Sequence, residues 1–211
     1  MPTRDSHKPR KNKYRMTEKK LLRQQIKDAV SRLSPQEKAE TSVIIEKRIE
    51  SLPLFAEART ILLFYSLPDE VNTHEWIAHW NGKKRILLPV VKGETLIIRP
   101  YSPGEMKPGS FGIAEPTGED ITDLSIIDMV IVPGVGFDPK GNRLGRGKGF
   151  YDRLLKKIDA PFIGVAYDCQ IAECIPALPH DVSMSLIISK SNIYWQRHTT
   201  RKTVSRSINT K

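Results

Sequence analysis

The chain has 211 residues, of which 39% are hydrophobic and 27% charged, and its formal net charge is +10. A globular chain of this length buries roughly 70% of its unfolded surface, which is enough for a core without metal or disulfide bonds. The composition excludes a wholly disordered or fibrous protein, and no apolar run approaches the roughly 18 residues of a membrane-spanning helix.

The excess positive charge lies in the two terminal segments. Residues 1–15 carry six basic side chains against one acid, and residues 196–211 carry five basic side chains and no acid. Residues 16–195 therefore hold equal numbers of basic and acidic side chains. We expect both terminal segments to be disordered basic tails, because such polar sequence buries little apolar surface. A nucleic-acid-binding fold carries its basic residues on a folded face, so nucleic-acid binding stays open only through the tails or through a local basic cluster.

The two cysteines and the N-terminus bear on the compartment. Cys169 and Cys174 are spaced unlike a common zinc pair, and two thiols make no disulfide framework. Reduced thiols are typical of cytosolic proteins. No apolar segment follows the charged N-terminus, so we expect no secretory signal. The sequence predicts a cytoplasmic protein without a membrane segment.

Two helices open the predicted domain. The first begins at Thr17, and the second begins after Ser34, which forms a capping box with Glu37. Pro35 occupies the first helical position, where its missing N–H group costs nothing. Pro53 ends the second helix. The first helix has an apolar stripe at helical spacing, made of Leu22, Ile26, Val30 and Leu33.

Strands and helices alternate through the rest of the chain. Several of the predicted strands are continuous apolar runs, as in strands that are covered on both faces. The pattern predicts one α/β domain over residues 16–195, with three layers and a predominantly parallel or mixed sheet flanked by helices. Helices are predicted at Thr73–Trp80 and Phe150–Ile158, and strands at Thr60–Tyr65, Arg85–Val91, Thr95–Arg99, Asp128–Val132, Phe162–Ala166 and Ser185–Ile188.

A glycine-rich loop, Pro133–Asp152, follows a predicted buried strand and leads into a helix. In α/β sheets ligands gather beyond the carboxyl ends of the strands. Arg143, Arg146 and Lys148 alternate with glycines, whose backbone N–H groups can line an anion site. Because three cations and a helix N-terminus would repel one another without an anion, we expect a polyphosphate ligand.

The role of Asp152 has two interpretations. A carboxylate beside a phosphate is repelled unless a divalent metal joins them, and Mg²⁺ takes one or two carboxylates together with phosphate oxygens. Alternatively, Asp152 only complements the dipole of its own helix. The loop matches neither the P-loop nor the dinucleotide-binding fingerprint, since Lys148 is followed by Gly149.

The segment Asn142–Asp152, Asn-Arg-Leu-Gly-Arg-Gly-Lys-Gly-Phe-Tyr-Asp, resembles the signature of the 5-formyltetrahydrofolate cyclo-ligase family, also called 5,10-methenyltetrahydrofolate synthetases. The likeness spans most of residues 16–195. Further family-like features are Lys19 and Arg23 in the first helix, Phe64–Glu70, Phe111–Pro116 and Val132–Asp138.

The resemblance implies an ATP- and Mg²⁺-dependent ring closure. In that family ATP phosphorylates the formyl oxygen of 5-formyltetrahydrofolate, N10 attacks the activated carbon, and phosphate leaves. The products are 5,10-methenyltetrahydrofolate, ADP and phosphate. Such a reaction requires the γ-phosphoryl group to be held in line and its charge to be neutralised.

The resemblance also implies the site residues. We expect Arg146 and Lys148 to stabilise the transferring phosphoryl group and Tyr151 to pack on a substrate ring. Magnesium would be held by Asp152 and Asp181. The folate would contact Tyr65, Glu70, Arg146, Gly147, Lys148, Gly149 and Phe150. ATP would contact Lys19, Arg23, Arg143, Leu144, Gly145, Arg146, Gly147, Lys148, Gly149, Phe150 and Tyr151.

The sequence departs from the family pattern at two positions. Phe150 stands where the family often has tyrosine, and Ser185 stands where a second acid often follows Asp181. From the residues alone, Lys19 and Arg23 fit a solvated helix face, and Glu70 fits a surface turn. Two alternatives stay open: another phosphate-binding α/β enzyme, and nucleic-acid binding through the tails. We expect a monomer that acts on small molecules.

Overall fold

The structure is a computed structural model that describes residues 8–178 and 181–196. In chain order its helices are α1 (Lys8–Ser31), α2 (Pro35–Glu50), α3 (Pro53–Glu57), α4 (His74–Trp80) and α5 (Phe150–Leu155). Its strands are β1 (Thr60–Leu62), β2 (Arg85–Lys92), β3 (Thr95–Pro100), β4 (Met106–Pro108), β5 (Ala114–Pro116), β6 (Met129–Val132), β7 (Gly136–Phe137), β8 (Arg143–Leu144), β9 (Phe162–Val165), β10 (Leu186–Ile188) and β11 (Ile193–Trp195).

Seven strands form the central sheet in the order β11-β10-β9-β6-β1-β2-β3. The five inner strands run parallel, and β11 and β3 pair antiparallel at the two edges. At the centre, Ile61 pairs with Ile86 of β2 and with Met129 of β6. The predicted mixed, mainly parallel sheet is confirmed. The hairpins β4–β5 and β7–β8 stand outside it.

Helices cover both faces of the sheet. Buried side chains of α1, α2 and α4 pack on one face with Ile61 of β1, while Leu154 and Leu155 of α5 pack on the other face with Leu62. Because neighbouring residues of a strand point to opposite faces, β1, β6, β9 and β10 are buried at every position and consist mainly of apolar residues. The three-layer α/β prediction is confirmed, and the apolar runs are explained by burial on both sides.

The predicted start of the second helix is confirmed in detail. The Ser34 hydroxyl accepts the backbone N–H of Glu37 at 3.2 Å, and the Glu37 carboxylate accepts the backbone N–H of Ser34 at 2.8 Å. Pro35 is the first residue of α2. This reciprocal pair of bonds satisfies two N–H groups that a helix start otherwise leaves without partners.

The first helix is longer than predicted. It begins at Lys8, not at Thr17, so residues 8–15, which were expected to be disordered, belong to α1. Lysine and arginine are good helix formers, so a basic segment can extend a helix that is already anchored further along. Residues 1–7 and 197–211 lie outside the described residues. In the described part of the chain, no helix is long and apolar enough to cross a bilayer.

Candidate active site

A cavity of about 840 Å³ lies at the carboxyl ends of the central strands. The loops that follow β1 and β6 form two of its walls, α1 forms a third, and β2 and β3 close it with apolar side chains. Ligand sites of α/β sheets lie at this edge. The volume falls in the upper part of the range of about 300–1,000 Å³ that is typical of ligand pockets.

The glycine-rich loop is shaped by a buried aspartate and by glycines. The Asp138 carboxylate, which is fully buried, accepts the backbone N–H groups of Lys140 and Asn142 at 2.9 and 3.0 Å. Gly147 and Gly149 have φ angles of 102° and 67°, a region that other residues rarely adopt. The glycines at these two positions allow the loop to turn along the cavity and into α5.

Arg143 is held beneath this loop. Its guanidinium pairs with Asp152 of α5 at 3.0 Å, and its centre lies 5.6 Å from the ring centroid of Tyr151. Only 5% of the Arg143 side chain is exposed, and its Nε has no hydrogen-bond partner among the described residues. Asp152 therefore complements a specific cation as well as the helix start.

Arg146 spans the cavity to the acidic turn after β1. Its Nη2 lies 2.6 Å from Asp69 and 3.0 Å from Glu70. Burial raises the pKa of Glu70, although the charge of Arg146 and the Leu67 N–H oppose the rise. Burial also acts to raise the pKa of Asp69, but the hydrogen bond and charge of Arg146 outweigh it, so that this pKa is lowered.

Two basic residues of α1 reach the same cavity. Lys19 pairs with Asp181 at 2.5 Å, and Arg23 donates to the carbonyl of Gly145 at 2.8 Å. Asp181 also accepts the backbone N–H of Leu178 at 2.9 Å. Lys19 is buried, so the interpretation of Lys19 and Arg23 as a merely solvated helix face is wrong.

The expectation that the loop cations repel one another without a bound anion is wrong for the two arginines. Two of the three loop cations, Arg143 and Arg146, do not depend on a bound anion for neutralisation, because they are paired with acids of this chain. Those acids lie close only after folding: Asp69 is 77 positions from Arg146. A polyphosphate would therefore compete with these acids for cations that the protein already neutralises. Its binding would leave the acids without their arginine partners.

Tyr151 lies against the Arg143 side of the cavity. Burial strongly raises the pKa of its hydroxyl, and the charge of Glu70 adds to the effect. The phenol therefore stays neutral at physiological pH. A neutral phenol suits a side chain that packs against a ligand, and it is unsuited to a role that requires ionisation.

The two carboxylates predicted as magnesium ligands, Asp152 and Asp181, both line the cavity. The described residues contain no group of three or more histidine, cysteine and acidic side chains arranged for a metal ion. Mg²⁺ does not require one, since one or two carboxylates with phosphate oxygens and water suffice. Both contacts of Asp152 use Oδ1, and Oδ2 accepts no hydrogen bond from the described residues. The donor set fits magnesium that arrives with a phosphate ligand.

The structure brings together almost all of the predicted site residues. Leu144 is the exception, because its side chain is fully buried in the core. Tyr65 lines the cavity and stacks on His74, with ring centroids 3.9 Å apart. The other predicted residues that line the cavity are Lys19, Arg23, Glu70, Arg143, Gly145, Arg146, Gly147, Lys148, Gly149, Phe150, Tyr151, Asp152 and Asp181.

Sequence reasoning missed two acids of the cavity. Asp69 pairs with Arg146, and its position next to Glu70 in one acidic turn was the available signal. Glu115 lines the cavity from β5 and is 6% exposed. It belongs to the family-like segment Phe111–Pro116, but nothing in that segment alone gives it a role.

A comparison with protein-family models decides the family. The model described as the 5-formyltetrahydrofolate cyclo-ligase family matches residues 15–190. The chain belongs to this family. The match includes α1 from residue 15 onward, the acidic turn and the whole glycine-rich loop, so the cavity is built from segments within the family match.

Curated relatives agree with this assignment. A 5-formyltetrahydrofolate cyclo-ligase of Escherichia coli K12 is 31% identical over 172 residues, covering 77% of this chain and 94% of the relative. The cyclo-ligase of Haemophilus influenzae is 35% identical over 185 residues, with the same shares of the two chains.

Solved structures of this cyclo-ligase family share the fold. The NMR structure of a 5,10-methenyltetrahydrofolate synthetase from Aquifex aeolicus superposes with a TM-score of 0.79 at 30% identity. The match covers 90% of this chain and 99% of that one. A synthetase from Mycoplasma pneumoniae gives a TM-score of 0.67 at 28% identity, covering 82% and 98%.

Proposed function

We propose that this protein is a ligase that converts 5-formyltetrahydrofolate into 5,10-methenyltetrahydrofolate, with ATP as the second substrate. One observation carries the proposal: a single cavity gathers the family's glycine-rich signature, the two cations of α1, and the acidic turn after β1. Family membership supplies the reaction, and the cavity supplies a place where a polyphosphate and a folate can meet.

The reaction proceeds by activation of a poor leaving group. The formyl oxygen attacks the γ-phosphorus of ATP, and ADP leaves with the bond electrons. The N10 lone pair then forms a bond to the formyl carbon. Phosphate departs with the former formyl oxygen, and the N10 proton passes to solvent. The protein's task is to hold the phosphoryl group in line and to neutralise its charge.

Arg146 and Lys148 act on the transferring phosphoryl group. Both line the cavity on the turn between β8 and α5. When ATP binds, Arg146 exchanges one or both of its carboxylate partners for phosphate oxygens. Arg143, Lys19 and Arg23, with the loop backbone from Gly145 to Gly149, hold the rest of the polyphosphate. Charge-assisted hydrogen bonds of this kind contribute about 1.5–3 kcal/mol each.

The folate lies against the opposite wall. Tyr65 offers a ring already fixed by its stacking on His74, and Glu70 offers a buried carboxylate beside it. Phe150 and the loop backbone complete this side, and Tyr151 packs on a substrate ring. The replacement of a family tyrosine by Phe150 removes a hydroxyl but keeps the ring surface.

Magnesium would bind together with ATP. Asp152 and Asp181 would hold it together with phosphate oxygens, and the ion would supply positive charge at the phosphate groups. Asp181 is anchored by the Leu178 N–H and by Lys19, so it needs no second acid at Ser185 to be fixed in place. The sensitivity of each variant to the magnesium concentration tests this part separately.

We further propose that the protein works in the cytoplasm as a monomer on small-molecule substrates, without nucleic acid. The two free cysteines, one of them exposed, suit a reducing compartment. Sedimentation of the pure protein tests the oligomeric state. Activity of a chain that lacks residues 1–7 and 197–211 tests the tails, since an enzyme retains its activity without them.

The direct test is a spectrophotometric assay for the methenyl product in the near ultraviolet. Purified protein is mixed with 5-formyltetrahydrofolate, ATP and Mg²⁺, and each component is omitted in turn. We expect product only in the complete mixture. Folded protein that binds ATP but forms no product would overturn the folate assignment and favour another phosphate-binding reaction.

A further inference from the structure

Glu115 is a buried acid on the cavity that the roles described above do not use. Its residue is 6% exposed, yet it lines the cavity beside apolar side chains of β2 and β3. Its Oε1 accepts the backbone N–H of Ser110 at 3.2 Å and that of Val91 at 3.4 Å. Oε2 takes part in neither bond. Burying a carboxylate is costly unless its oxygens are hydrogen-bonded.

A structural role does not by itself require an acid here. A neutral acceptor in the place of Oε1 could accept the same two backbone hydrogen bonds. The chain instead makes room for the carboxylate: a Cβ added to Gly109 would lie 2.4 Å from Oε2 of Glu115. Gly109 has φ of −127°, which other residues adopt readily, so its missing side chain is explained by this close approach.

Glu115 lies in an apolar part of the cavity and not in its cationic part. Glu115 contacts the backbone of Val91 in β2, and the cavity-lining residues of β2, β3 and the segment before β5 are the apolar Pro89, Val91, Leu96 and Ile113, whereas the cations of the cavity come from α1 and the glycine-rich loop. A carboxylate in an apolar wall repels phosphate and the glutamate end of a folate. It suits a flat ring that presents two adjacent N–H donors.

The ring systems of the substrates differ in this respect. The 2-amino-4-oxopteridine ring of a folate presents its N3–H and 2-amino group side by side, which matches the two oxygens of one carboxylate. The Watson–Crick edge of adenine alternates a donor with an acceptor, so one of its two groups would face a carboxylate oxygen without a proton. Two parallel hydrogen bonds to a carboxylate add both strength and orientation.

From these observations we propose that Glu115 positions the folate by binding the 2-amino and N3–H groups of the pteridine ring. This inference rests on the proposed function. It places the pteridine against β2 and β3, with the remainder of the folate directed toward Tyr65 and Glu70. Glu115 touches substrate but takes no part in phosphoryl transfer.

The test compares 5-formyltetrahydrofolate with its analogue in which methyl replaces the 2-amino group. Equilibrium binding is measured without ATP for the wild type and for Glu115→Gln, which can still accept the backbone N–H groups. We expect the wild type to prefer the natural substrate by about 10- to 100-fold, the value of a charge-assisted hydrogen bond. We expect Glu115→Gln to reduce that preference to less than about threefold, with the KM for ATP unchanged.

Two glycine variants provide an independent comparison. Gly109→Ala displaces the Glu115 carboxylate without changing its chemistry. This variant should therefore also lose the preference for 5-formyltetrahydrofolate over the analogue. Gly104→Ala is the matched control, because a Cβ there meets nothing within 4 Å. Glu119→Gln, at an exposed acid of the same region, should behave as the wild type.

The outcomes separate this inference from the proposed function. A wild type that binds neither compound overturns the proposed function and this inference with it. A wild type that binds both compounds equally well overturns the inference alone. The inference is also overturned if Glu115→Gln keeps the preference, or if it weakens the binding of both compounds by the same factor. A purely structural role of Glu115 would give either result.

Discussion

Loss of Asp152 should destabilise the protein even without any substrate. Its carboxylate pairs with Arg143 at 3.0 Å and joins the glycine-rich loop to α5. In Asp152→Ala the Arg143 guanidinium stays buried and loses its charge partner. Its Nη1 then keeps only a long bond of 3.4 Å to the Pro133 carbonyl. A buried cation without an acid is among the costly defects of a folded protein.

The size of the loss follows from the exposure of the two partners. Removal of one partner from a buried ion pair costs about 3–5 kcal/mol. The Arg143 side chain is 5% exposed, but that of Asp152 is 20% exposed, so water screens the pair in part. We therefore expect a decrease in the free energy of unfolding of about 3 kcal/mol, at the low end of the range. For a chain of this size that lowers Tm by about 6–12 °C.

The assay is urea unfolding followed by circular dichroism, with thermal unfolding as a second measure. Asp159→Ala is the control, because Asp159 is an exposed acid just beyond α5 and should change stability by less than about 0.5 kcal/mol. Arg143→Met added to Asp152→Ala removes the unpaired charge and should recover part of the loss. A loss below about 1 kcal/mol for Asp152→Ala would refute the reasoning.

Three further predictions concern packing, pH and turnover. Gly164→Ala should lower the free energy of unfolding by about 1–3 kcal/mol in urea, since its Cβ would lie 2.6 Å from the buried Phe137 ring. Burial lowers the pKa of His74 below 6.5, against a smaller opposing effect of the Ser66 carbonyl. The unfolded chain therefore binds the proton more tightly, and stability falls as the pH drops below 6.5. His74→Phe should lose less stability than the wild type between about pH 7.5 and about pH 5; an equal loss would contradict this. Lys148→Ala should lower kcat by about 10²–10³-fold in the methenyl assay, while the exposed control Lys156→Ala should not.

The elements that the sequence predicts well are those with strong local signals. The capping box of Ser34 and Glu37 marks the start of α2 directly, and the apolar runs mark the inner strands. The edge strand β11 was missed because it has three residues, is partly exposed, and depends on pairing with β10 and on packing against the core. The predicted start of α1 is wrong because a basic composition does not by itself distinguish a disordered segment from an extension of a helix.

The candidate site was predictable as a set of residues but not as an arrangement. The glycine-rich loop and its cations stand together in the sequence, and the family resemblance added Lys19 and Glu70. The pairing of Arg146 with Glu70 joins residues 76 positions apart, and that of Lys19 with Asp181 joins residues 162 positions apart. Such contacts depend on the sheet order, which no local pattern specifies.

In the proposed reaction the formyl oxygen is phosphorylated and leaves as part of phosphate. The most direct measurement uses 5-formyltetrahydrofolate labelled with ¹⁸O in the formyl group and follows the label after turnover with ATP. We predict that the label appears in the released inorganic phosphate, one atom for each methenyl product formed. Label recovered in water, with unlabelled phosphate, would contradict the claim.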